Sequence, residues 1–74
     1  MPVVKTLAEP EAERYVIEML QSHGPLTTRE IEEFAQKEGK RCPDETVLFL
    51  TKLRSRGIIK GEISEERRGW IWSI

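Results

Sequence analysis

The sequence predicts an α+β domain: a three-helix bundle followed by a C-terminal β-hairpin that stands as a wing. Two observations carry this. Between residues 10 and 56, three segments repeat apolar residues at helical spacing, each with its own start and stop residues. From residue 58 onward the period changes to strict alternation on either side of a polar turn, the pattern of paired strands.

Residues 1–9 read as an extended lead-in, in which Val3 and Val4 could pair as a short strand. The first helix opens at Pro10, whose missing N–H costs nothing in a first turn. Glu9, Glu11 and Glu13 complement the positive end of its dipole. Ala12, Tyr15, Val16, Met19 and Leu20 form one apolar stripe, and Gly24 and Pro25 end the helix. In the second helix Thr27 and Glu30 form a capping box, and Leu26 with Ile31 forms a hydrophobic staple. Ile31, Phe34 and Ala35 face inward, and Gly39 terminates. The third helix is expected to open at Pro43, with Asp44 and Glu45 in its first turn, and to end at Gly57. Leu50 and Leu53 belong to the core, above Thr46 or Val47. Residues 47 to 50 read Val-Leu-Phe-Leu, and one side of a small domain cannot bury four consecutive helical residues, so at least one is exposed.

In the hairpin, Ile59, Gly61 and Ile63 alternate on one strand and Trp70, Trp72 and Ile74 on the other. Pairing Ile63 with Trp70 sets Trp72 opposite Gly61 and Ile74 opposite Ile59, with all six on one face. A large ring over a glycine is a good cross-strand fit. The turn is "SEERRG", residues 64 to 69.

Seventy-four residues suffice for one small domain. Cys42 is the lone cysteine, which excludes an intramolecular disulfide and a cysteine-based metal cluster and fits a reducing interior. The longest apolar run is four residues, too short to cross a membrane, and no basic segment followed by an apolar stretch suggests a signal peptide. The expected location is the cytoplasm. Net charge is −1, but it is unevenly spread: residues 1–33 hold three basic and seven acidic groups, residues 34–74 nine and six. No glycine-rich phosphate loop, paired-carboxylate signature or metal-ligand spacing is present. Neither enzymatic activity nor a cofactor, metal or small-molecule substrate is expected. His23 reads as a helix-terminal residue and Cys42 as packing near Pro43.

The order of elements, and above all "LTTREIEEFAQKEG…TVLFLTKLRSRGIIKGEI", resembles the winged helix-turn-helix family across residues 10–74. In that pattern a capped short helix leads to a longer one that ends in Leu, three polar residues, Gly and two apolar residues. Here those are Leu53, Arg54, Ser55, Arg56, Gly57, Ile58 and Ile59. The resemblance implies double-stranded DNA as partner, with the third helix in the major groove and the wing beside the backbone. Carried over by position, the outward helix residues are Glu45, Leu48, Thr51, Lys52 and Arg56, and the wing contacts are Arg67 and Arg68; Thr46, Arg54 and Lys60 complete the candidate nucleic-acid-binding set. Lys37, Lys40 and Arg41 could extend one basic surface. The family also contains protein-docking members. The acidic Asp44 and Glu45 and the surplus apolar residues fit that second reading, with Glu45, Leu48 and Phe49 as the partner surface. A homodimer is a further option. Trp70 and Trp72 read first as core and second as a stacking platform for bases.

Overall fold

The computed structural model describes residues 4–74 as a small α+β domain with three helices and a three-stranded antiparallel sheet. The elements run β1 (Lys5–Thr6), α1 (Glu9–His23), β2 (Leu26–Thr27), α2 (Thr28–Lys37), β3 (Lys40–Arg41), α3 (Thr46–Ser55), β4 (Lys60–Ser64) and β5 (Gly69–Ser73). No helix is long and apolar enough to cross a membrane among the described residues.

Helix α1 places Pro10 in its first turn and buries Ala12, Val16, Met19 and Leu20. It closes at Gly24, whose φ of 78° lies in the left-handed region open to glycine. The capping box on α2 forms as the sequence predicts: the Glu30 N–H donates to Thr27 Oγ1 at 3.2 Å, and the Thr27 N–H donates to Glu30 Oε1 at 3.0 Å. Leu26 and Ile31, on either side of the cap, are both buried. Helix α3 ends in a Schellman closure: the Gly57 N–H reaches Arg54 O at 2.9 Å, and the Ile58 N–H reaches Leu53 O at 3.0 Å. Gly57 takes φ 75°, and this tight link delivers the chain directly into β4.

The hairpin has the register that alternation predicts, with Ile63 opposite Trp70 and Gly61 opposite Trp72. Trp72 is fully buried, its ring lies over Gly61, and its Nε1 donates to Thr28 Oγ1 at 2.7 Å. Around it sit Val16, Leu20, Ile31, Phe49, Leu50, Leu53 and Ile59, which tie the hairpin root to all three helices.

Five expectations need correction. Helix α3 opens at Thr46, so Pro43, Asp44 and Glu45 precede it. Residues 40 and 41 pair with β1, Cys42 is buried next, and the chain is still extended at Glu45. Ile63 and Ile74 share the register of the core face but are 71% and 49% exposed: Ile63 stands next to the tip, past the packed root, and Ile74 is the last residue, beyond the end of β5. Phe49 is 1% exposed and points inward, while Val47 and Leu48 are the residues of that run left outside. Leu26–Thr27 forms a strand that sequence periodicity does not announce, pairing Leu26 with Trp72 and Thr27 with Ile71 and setting the sheet order β2-β5-β4. At the N-terminus, Val3 lies outside the described residues. Val4 is exposed and outside any strand, and Lys5–Thr6 pairs instead, in parallel with Lys40–Arg41.

Candidate nucleic-acid interface

The residues singled out from sequence occupy three places: the outer side of α3, the strand β4 and the hairpin tip. Arg54 joins the first two. Its aliphatic stem lies against Gly61, and its guanidinium sits over the Trp70 ring, 5.1 Å from the centroid. A cation over an aromatic face gains electrostatically and keeps its outer N–H groups available. Trp70 in turn stacks on Trp72 with centroids 5.4 Å apart. The outer end of α3 is therefore fixed to the hairpin by a side chain that is itself a candidate contact.

Three other cations are held by glutamates. Lys52 donates to Glu9 Oε1 at 2.6 Å, Arg56 lies 3.8 Å from Glu13, and Arg67 donates to Glu30 at 3.1 Å. The bond to Lys52 lowers the Glu9 pKa and raises that of Lys52. Glu30 is also lowered, first by the Thr27 N–H that donates to it, and further by the Thr27 hydroxyl and the Arg67 charge. These pairs sit in partial solvent, where such contacts add little to stability. They hold the cations in place but can be exchanged for a stronger anion.

Arg54, Lys60 and Arg68 have no carboxylate partner among the described residues. Arg68 stands at the hairpin tip with φ 55°, the one described non-glycine residue in the left-handed region. Neighbouring turn contacts hold the tip: the Arg67 N–H donates to Ser64 Oγ at 3.3 Å. Lys60 is exposed, but strand alternation turns it to the face opposite Gly61, away from Arg54. Thr46 is half-buried near Cys42, and Thr51 spends its hydroxyl on the Val47 carbonyl at 2.7 Å. Glu45 is exposed at the N-cap position without making a side-chain cap.

The wider basic surface is not drawn together. Lys40 sits over the Tyr15 ring at 4.5 Å and Lys37 over Phe34 at 5.9 Å, on the α1–α2 side. His23 stacks on Phe34 there, with centroids 4.4 Å apart. Cys42 is buried, and burial raises its thiol pKa.

The acidic partners were not anticipated from sequence. Their spacing carried a signal: Glu9 and Glu13 stand four apart on α1, as Lys52 and Arg56 do at the end of α3. Two such ladders can mesh only if the helices lie side by side, which no local pattern reveals.

Comparisons with family models, with curated proteins and with solved structures give no match.

Proposed function

We propose that the chain is a winged helix-turn-helix domain that binds double-stranded DNA through α3 and the tip of the β4–β5 hairpin. It acts as a binding module without catalysis, of the kind that serves a small transcription regulator in the cytoplasm. Arg54 flanks the outer side of α3 toward the hairpin, Lys52 and Arg56 flank it toward α1, and Arg67 and Arg68 reach the backbone from the tip. This contact set leaves out Lys60, on the other face of β4, and the half-buried Thr46.

The observation that carries the reading is the Arg54 bridge, which joins α3 to the hairpin through a cation that has no carboxylate partner among the described residues. The tight closure at Gly57, which leads from α3 straight into β4, supports it. The glutamate-held cations fit a weak, salt-sensitive binder, because phosphates must displace exposed carboxylates.

Fluorescence anisotropy of a mixed-sequence duplex across a salt series tests this. Log affinity is expected to fall with log salt by about 0.9 per phosphate neutralised. Replacing Arg67 and Arg68 together with alanine should make that slope shallower, by about one for each arginine that had reached a phosphate. Unchanged affinity in the double variant contradicts the role given to the tip.

A second reading, protein docking without DNA, is favoured by one observation: Val47 and Leu48 are 38% and 60% exposed at the start of α3. Under that reading a folded Leu48→Asp variant no longer binds its partner. Retention of every partner of the native chain contradicts it.

A further inference from the structure

The outward face of α3 offers methyl groups where a polar base reader would stand. Val47 and Leu48 are exposed, and Thr51 follows on the same side one turn later. Thr51 does not restore a polar reader. Its hydroxyl donates to the Val47 carbonyl at 2.7 Å, leaving its methyl as the group free for contact. Three adjacent positions thus present aliphatic surface.

The charges around the patch indicate what covers it. Arg54, which has no carboxylate partner among the described residues, and Lys52, which Glu9 holds, follow on the same helix, Arg56 with its partner Glu13 caps it, and Arg68 stands on the hairpin joined to it through Arg54. Asp44 and Glu45 lie before the helix, so a polyanion is accommodated toward its C-terminal side. An apolar patch with cations on its C-terminal side complements a surface that carries both phosphates and methyl groups. In the major groove, thymine alone among the four bases displays a methyl. Setting the same patch against unmatched donors and acceptors would leave them buried without partners.

We propose that Val47, Leu48 and Thr51 pack on thymine 5-methyl groups, so that the domain selects A·T steps through methyl contact and not through hydrogen bonds. This rests on the DNA-binding reading and specifies what α3 senses.

The test compares two short duplexes of alternating adenine and thymine, one of them with deoxyuridine replacing thymine. The exchange removes the 5-methyl and leaves every hydrogen-bonding group in place. At about 50 mM salt, where weak phosphate contacts persist, the native chain should bind the uridine duplex about three- to fivefold more weakly for each methyl contacted. Leu48→Ser, at a position exposed enough for the fold to survive, should erase most of that difference, with amide spectra confirming the fold. Equal binding of both duplexes by the native chain overturns the methyl proposal and leaves the DNA reading standing. A full thymine preference in folded Leu48→Ser also overturns it. No binding to either duplex overturns the DNA reading, and this inference with it.

Discussion

The two ends of the β4–β5 hairpin are built on opposite principles. At the root, Trp72 is fully buried, Gly61 leaves room for its ring, and Thr28 accepts its indole N–H. At the tip, Ile63 is 71% exposed, Arg68 adopts a left-handed backbone, and the contacts are side-chain hydrogen bonds in partial solvent. The same two strands therefore carry the core at one end and a free surface at the other. The root sets where the tip stands, while the tip contributes little to stability and can be chosen for what it touches.

The contrast can be broken most severely at the root. Trp72→Ala should cost about 3–5 kcal/mol, the range for deleting a buried large aromatic. In a domain this small that should leave much of the population unfolded, as read by chemical denaturation. Gly61→Ala attacks the same packing from the other strand. A Cβ there would stand 2.6 Å from Trp72 Cζ3 and 2.8 Å from Cε3, and the buried ring has little room to move. A destabilisation of about 1–3 kcal/mol is expected. A neutral result would show that the root is less tightly packed than its geometry implies.

At the tip the expected effects are smaller, and one reverses sign. Arg68→Gly removes a cation and relieves a positive-φ side chain. Stability should rise by up to about 1 kcal/mol while affinity for duplex DNA falls. Stability and binding moving in the same direction would contradict the division between root and tip. The smallest effect concerns Glu30. Its folded pKa is lowered, so the stabilisation it gives is present above its unfolded value and is lost as pH falls through the folded one. Thermal stability should fall below about pH 4, and Glu30→Gln should flatten that part of the profile.

Much of the helical fold was legible because its signals are local. The Thr27–Glu30 box, the Gly57 stop and the Trp72–Gly61 register each depend on residues close in sequence or on a two-residue period. Leu26–Thr27 is not legible as a strand because two residues cannot show alternation, and its partner lies more than forty positions away. Pro43 has the marks of a helix start, but Lys40–Arg41 pairs with β1, Cys42 is buried, the chain bends at Pro43 and Asp44, and the backbone is extended at Glu45 before the helix begins. The run at residues 47 to 50 did require an exposed member. Choosing Leu48 and Val47 over Phe49 required knowing which side of α3 meets Trp72. The candidate cations could be named from sequence, but their glutamate partners on α1 and α2 could not, because pairing across the domain leaves no local trace.

The most direct test of the central claim is an amide NMR titration with mixed-sequence duplex DNA at about 50 mM salt. Shifts confined to residues 46–56 and 67–69, and abolished at high salt, are the predicted result. No shifts at low salt, or shifts centred on the α1–α2 side around Lys40, would contradict a DNA surface built from α3 and the hairpin tip.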